Sequence, residues 1–369
     1  MVRILSDAAV ADCLDLDDLL GVVREAFGKQ GRGEVERPDR PHFPVGTGLD
    51  CSDSGGSDHD TDTADSTDTA ADSNHTPDAT DTATPDEPCG TGLVMPAYVH
   101  GAEHYATKLV GVHEGNAERG LPTVNAQIAL TEAATGLPAA YLAGTRITNA
   151  RTGCVGGLAA AELAVPSAGA DDNAGLTLAL LGAGTQARWQ ARAIAAATDL
   201  ASVRIYSPSD SRRECAADLR AELGLPDDAV RAVDSPEEAV SGADVVVTAT
   251  TATEPVFPGA ALDPGTLVVA VGAYTAEMRE LDAETFARAG RVFADVPAEV
   301  AEIGDALGAD VAEDELIPFS DVLEGRAGRE SDDEIVIVES VGTAVLDAAT
   351  AEHVFERATE AGVGEEVSL

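Results

Sequence analysis

The amino-acid sequence predicts an α/β protein of two domains, one a doubly wound parallel sheet and the other α+β, and three observations carry that expectation. Downstream of residue 176, short apolar strand-like runs alternate with helical segments, the rhythm of parallel strands joined by crossover helices. The first of those strands runs straight into Gly182-Ala183-Gly184-Thr185-Gln186-Ala187, a glycine turn that opens a helix. Upstream, the apolar runs 92–99, 105–112, 124–131 and 138–143 are separated by Gly, Pro or Asn, as in a mostly antiparallel sheet. A chain of 369 residues accommodates two modest domains.

In chain order, residues 16–30 read as an amphipathic helix, with Leu16, Leu19, Leu20, Val23 and Phe27 at helical spacing. From 52 to 88 there is no Val, Ile, Leu, Met or aromatic residue, so this stretch cannot bury enough apolar surface to offset chain entropy. It is predicted to be a disordered acidic loop, 51–88, inserted into the first domain. After the four apolar runs, Thr148 is predicted to cap an alanine-rich helix over 149–163. Strands at 176–181, 203–206, 245–248, 267–271 and 292–294 and helices at 186–197 and 211–223 follow. A last strand at 334–338 and a helix at 341–361 are assigned back to the first domain. The expected boundaries are therefore 1–147 completed by 330–369 for one domain, and 148–329 for the other.

Charge narrows the function classes. The chain has 66 Asp+Glu against 23 Lys+Arg, a formal charge of −43. The acidity extends well beyond the 51–88 stretch, so nucleic acid and anionic membrane are poor partners. Only Lys29 and Lys108 are lysines, and a lysine-poor, acid-rich surface looks adapted to high salt, where screening makes self-repulsion tolerable. In such a chain Lys108, set in the apolar run AEHYATKLVGV, stands out. The five cysteines are odd in number and lack any C-x-x-C spacing, which fits a reduced cytoplasm. No apolar run approaches the ~20 residues of a membrane-spanning helix, and no metal is expected.

The glycine turn is where chemistry first becomes legible. Its glycines let the backbone turn tightly and let a pyrophosphate approach the free N–H groups of the helix that follows, so 148–329 is expected to be a Rossmann dinucleotide-binding domain. At the end of the next strand an Asp or Glu would bond a ribose 2′-hydroxyl. Ser207 occupies that place, with Arg212 and Arg213 close behind, which favours NADP over NAD. Two other readings stay open: the arginines as a solvated helix start, and Asp210 as the ribose partner. Arg151 falls in the first turn of the predicted 149–163 helix, where a cation opposes the helix dipole at about 0.3–1 kcal/mol and calls for a compensating anion. A bound carboxylate and one of the chain's own acids are both open as that anion.

With Lys108, Arg151 and the glycine turn in place, the sequence resembles the ornithine cyclodeaminase/mu-crystallin family over nearly the whole chain apart from the acidic loop. The carrying motifs are VMPAY (94–98), TKLVGVHEGN (107–116), GLPTVNAQIAL (120–130), ITNARTGCVGGLAA (147–160), LGAGTQA (181–187), TATTATEPVF (248–257), AVGA (270–273) and REL (279–281). The tail 328–347, GRESDDEIVIVESVGTAVLD, is especially similar to the archaeal alanine dehydrogenase branch. The resemblance implies that a substrate carboxylate is held by Arg40, Lys108 and Arg151, with Arg37 a less favoured alternative to Arg40, and that Thr123 lies near the substrate. It further implies a cofactor along Gly182, Gly184, Thr185, Gln186, Ser207, Arg212, Thr248 and Thr250. The first domain becomes a substrate-binding/dimerisation domain, and the assembly a homodimer.

One position departs from the family pattern. Where the cyclodeaminases and the archaeal alanine dehydrogenase carry an Asp shortly after the A-V/I-G segment, this sequence has Tyr274. A phenol with a pKa near ~10 is no permanent anion beside an ammonium at neutral pH. Mu-crystallin also lacks that Asp, and its resemblance implies ketimine reduction. The expected activity is NAD(P)-dependent oxidoreduction at the C–N bond of a small α-amino or α-imino acid, alanine dehydrogenase-like or ketimine reductase-like. Ornithine cyclodeaminase, a lyase with recycled NAD, is the alternative within the family. A non-catalytic crystallin-like binding protein is the alternative outside it.

Overall fold

The computed structural model describes residues 1–49, 87–166 and 175–368, so the predicted loop 51–88 lies outside the described residues apart from Glu87 and Pro88. The chain divides into two compact units. One comprises Met1–Asp39, Met95–Lys108 and Ala126–Leu369, the other Arg40–Val94 and Leu109–Asn125.

The N-terminal sheet contains β1 (Val2–Leu5), β2 (Val35–Glu36), β3 (His42–Val45), β4 (Gly90–Val99), β5 (His104–Val112), β6 (Val124–Glu132) and β7 (Pro138–Ala143). In the larger unit β6 and β7 pair antiparallel, with Ile128 opposite Leu142, whereas β1 joins β7 in parallel. Along β4 every second residue from Leu93 onward is buried, the alternation of a sheet with one face on the core. Helix α1 (Asp7–Cys13) and helix α2 (Leu16–Gly31) follow β1, α2 burying Leu19, Val23 and Phe27 as its spacing predicts. In the smaller unit β3 pairs antiparallel with the start of β4, His42 opposite Leu93, and the His113 N–H donates to the Thr123 carbonyl at 2.9 Å.

The second sheet contains β8 (Leu176–Leu181), β9 (Leu200–Tyr206), β10 (Val230–Ala232), β11 (Val245–Thr248), β12 (Leu267–Ala270), β13 (Ala289–Ala294), β14 (Leu316–Pro318) and β15 (Ile335–Glu339). Its order is β10-β9-β8-β11-β12-β15-β13-β14 and every pairing is parallel. β11, β12 and β15 are buried at every residue, because a parallel sheet is covered on both faces. Strand order reverses between β8 and β11. That is the switch point where doubly wound sheets bind ligands, at the carboxyl ends of the strands.

Two local expectations are corrected. The strand predicted at 334–338 does not return to the first sheet: as β15 it inserts between β12 and β13. Helix α3 (Gly144–Leu163) begins ahead of Thr148, with Ala143 at its N-cap. Thr148 therefore caps nothing, and Arg151 lies about two turns inside the helix, beyond the reach of a terminal dipole. Helix α4 (Thr185–Ala197) and helix α5 (Ser211–Glu222) follow β8 and β9, and helix α6 (Ala344–Ala361), capped by Thr343, follows β15 and ahead of the short β16 (Glu365–Val367), which pairs with β1. Cys13, Cys154 and Cys215 are buried thiols, burial pushing Cys154 up to about 12, while Cys89 is disulfide-bonded, unlike the wholly reduced set expected.

Candidate active site

β8 delivers the glycine turn to the switch point. Gly182 has φ +116°, and a Cβ there would stand 2.5 Å from the Ala249 carbonyl oxygen, so only glycine lets β8 turn against the β11 loop. Gly184 differs: a Cβ on it would meet nothing within 4 Å. It stands at the N-cap of α4 with no side-chain cap, leaving the first-turn N–H groups facing open space. Gln186 adds a buried side-chain nitrogen with no hydrogen-bond partner. A cradle free of side chains, uncapped N–H groups and an unsatisfied donor together fit the diphosphate of a dinucleotide. Ala187, fully buried, takes the third position of the motif, where helix and strand pack closely.

At the end of β9 the backbone gathers hydroxyls. Ser207 Oγ lies 3.3 Å from both Ser209 Oγ and Ser211 Oγ, and these last two are 2.6 Å apart. Arg212 donates through Nη1 to the carbonyls of Ser207 and Ser209, at 3.1 and 2.7 Å, while its buried Nε has no partner. Arg213 pairs instead with the exposed Asp210. Of the two arginines, Arg212 is the one built into the strand end.

Thr248 and Thr250 turn their hydroxyls to Glu280. Each donates, at 2.8 and 2.7 Å respectively, to a carboxylate that is 0% exposed. Glu280 lies within the REL motif (279–281), which assigned it no role of its own. Burial pushes it up to about 7, against the pull of Thr250 and Thr248.

The centre of the larger unit is a buried triad. Lys108 projects from β5 and Arg151 from α3, and one carboxylate of α6, Asp347, receives both: Lys108 Nζ at 2.5 Å on Oδ2 and Arg151 Nε at 2.8 Å on Oδ1. The three side chains are only 2%, 5% and 1% exposed. Burial alone would raise the Asp347 carboxyl, but Arg151 and Lys108 outweigh it and hold it below its ordinary value. Arg151 therefore found one of the chain's own acids, and the dipole argument for its partner falls. Gly342, at φ +79°, leaves room for the guanidinium, since a Cβ there would lie 2.8 Å from Nη1. Asp347 was missed by the sequence reading, although a lone acid in the apolar start of α6 (AVLDAA) was there as a signal.

In the smaller unit, Arg40 precedes β3 and Thr123 precedes β6. Arg37, in the larger unit, pairs with Glu299. Tyr274 packs on an apolar cluster that includes Met278, Val296 and Val341. Among the described residues no His/Cys/Asp/Glu group could hold a metal, and no helix is long and apolar enough to cross a membrane.

A doubly wound sheet with an open glycine cradle, joined to a buried Lys–Asp–Arg triad, defines a dinucleotide-dependent enzyme that handles a small anionic substrate. The chain belongs to the ornithine cyclodeaminase/mu-crystallin family, whose model matches residues 75–362. Its relatives include a delta(1)-pyrroline-2-carboxylate reductase of Bacillus cereus, 34% identical over 76% of this chain and 85% of the relative. The structure of Thermococcus litoralis delta(1)-pyrroline-2-carboxylate reductase in complex with NADH and L-proline superposes with a TM-score of 0.82, at 28% identity, over 99% of this chain and all of that one. An archaeal alanine dehydrogenase dimer with bound NAD gives 0.78 at 27% identity, over 100% and 99% of the two chains.

Proposed function

We propose that this protein is an NAD(P)-dependent reductase of small α-imino acids, a cyclic ketimine carboxylate of the pyrroline-2-carboxylate class being its preferred substrate. The observation that carries the reading is the triad. Two cations converge on one carboxylate in a buried place, and a guanidinium and an ammonium are the donors that a substrate carboxylate takes. Arg151 then binds the carboxylate as a planar fork, and Lys108 contacts it while holding a proton for the imine nitrogen. When bound, the reduced nicotinamide supplies a hydride to the imine carbon. Gly182, Gly184, Thr185 and Gln186 hold its diphosphate, Ser207 and Arg212 its adenosine ribose, and Thr250 lines the switch point, while the fully buried Thr248 does not face it. The absence of a carboxylate at Ser207 supports NADPH as the preferred form. The dimeric alanine dehydrogenase supports a homodimer here.

Tyr274 supports reduction over ornithine cyclisation, because the lyase reading needs a carboxylate where this phenol stands. The test is a substrate panel with each cofactor, followed at the nicotinamide absorbance band. Stoichiometric NADPH consumption with a cyclic ketimine carboxylate is expected. Ammonia release from ornithine with no net absorbance change would replace this reading with the lyase.

A further inference from the structure

Glu280 joins what the sequence keeps apart. Its Oε1 accepts the Thr250 N–H and the Thr250 hydroxyl, both at 2.7 Å, and its Oε2 accepts the Thr248 hydroxyl and the Gly272 N–H, both at 2.8 Å. One buried carboxylate thus ties the loop after β11 to the loop after β12. The tie reaches β8 as well, because Gly182 turns against Ala249, the residue between the two threonines. Gly272 leaves the space for it, since a Cβ there would lie 2.5 Å from Glu280 Oε1. Glu280 is itself fixed from below: Asp305 Oδ1 accepts the N–H groups of Glu280 and Leu281, each at 2.7 Å. Burying a carboxylate so completely is costly unless its donors are all in place, so the arrangement holds the loops as firmly as the loops hold it.

We propose that Glu280 is the positioning residue of the dinucleotide site, setting the mutual distance of the β8, β11 and β12 ends so that the switch point is preformed. The inference rests on the dinucleotide-binding reading above. Glu280 has no exposed surface with which to touch a cofactor, and neither has Thr248, so both act only through the loops they fix. A carboxylate accepts from all four donors. The isosteric amide offers two hydrogens of its own and sets donors against donors.

The decisive measurement is the dissociation constant of the apoprotein for NADPH, read by energy transfer from Trp189, the single tryptophan, which lies in α4 behind the glycine turn. Glu280→Gln should weaken NADPH binding at least tenfold, with KM for the imino acid changing less than threefold. Thr248→Val, which keeps shape but deletes one bond to Glu280, should weaken it severalfold, and Thr248→Ser should restore it. If Glu280→Gln does not fold, the Thr248 pair decides. NADPH binding within twofold of wild type in Glu280→Gln or Thr248→Val, whatever happens to the melting temperature, overturns the proposal. A wild-type protein that binds neither NADPH nor NADH overturns the dinucleotide reading itself.

Discussion

Asp347 and Lys108 meet at 2.5 Å inside the protein, on residues of helix α6 and strand β5 that are 239 positions apart in the chain. The pair belongs to a triad in which one carboxylate receives both buried cations. Asp347→Asn leaves Lys108 and Arg151 as buried cations without their anion, and should cost about 3–5 kcal/mol of stability. Lys108→Ala should lower turnover at least ~100-fold through loss of the proton donor, while NADPH still binds. Turnover of Lys108→Ala within about tenfold of wild type removes it from the mechanism, and an unshifted melting curve for Asp347→Asn removes the triad.

The two glycines of the cradle should fail differently. Gly182→Ala places a Cβ against the Ala249 carbonyl at a positive φ, so it strains the fold and should lower the melting temperature measurably. Gly184→Ala meets open space and should melt like wild type, yet bind NADPH at least ~tenfold more weakly, because its methyl stands where the diphosphate approaches. Unimpaired NADPH binding by Gly184→Ala would place the diphosphate elsewhere.

Cofactor choice should follow the end of β9. NADPH should serve at least as well as NADH, and Ser207→Asp should shift preference toward NADH, since an anion there accepts a ribose hydroxyl and repels a phosphate. Salt screens this discrimination, so the comparison belongs at the lowest ionic strength at which the protein stays folded. A wild-type preference for NADH of tenfold or more would point to Asp210 in place of the serines.

Stability should fall as pH rises through the neutral range. Burial pushes Glu280 up to about 7 and Asp305 up to about 6, and raises Glu339 well above the carboxylate range, where Asp305, Glu280 and Asp295 add their repulsion. The folded state therefore holds protons that the unfolded chain has released, and stability declines from about pH 5 upward, by roughly 3 kcal/mol at most for Glu280 alone. Glu339→Gln removes one of these raised carboxyls, so its stability should fall less steeply with pH than that of wild type. Melting curves in high salt, which screens the surface charge, check this, and a wild-type melting temperature that climbs from about pH 5 to 8 contradicts it.

Much of the fold was readable because burial repeats with a period. β8, β11 and β12 show as short runs that are apolar except at Thr177 and Thr248, and the glycine turn follows β8 where a doubly wound sheet requires it. The neighbours of β15 were not readable, since a crossover strand of the same character can join either sheet until its partners are seen. The start of α3 was misread because Thr148 looks like a cap, whereas the helix begins uncapped at Gly144. Asp347 and Glu280 escaped for another reason. A buried acid has no meaning until its donors are known, and those lie on other elements; Asp347 at least intrudes into apolar sequence, whereas Glu280 stands among charged neighbours.

The triad also orders events during synthesis. Lys108 and Arg151 leave the ribosome long before Asp347, whose separation from them is 239 and 196 residues. Until α6 emerges and docks, the two cations have no buried counterion, and water must solvate the ground between β5 and α3. By then β8 already has both of its sheet neighbours, β9 and β11, in the nascent chain. A contact of such separation is expected to close late in folding, with hydrogen-exchange protection of β5 and α3 lagging behind that of β8 and β11.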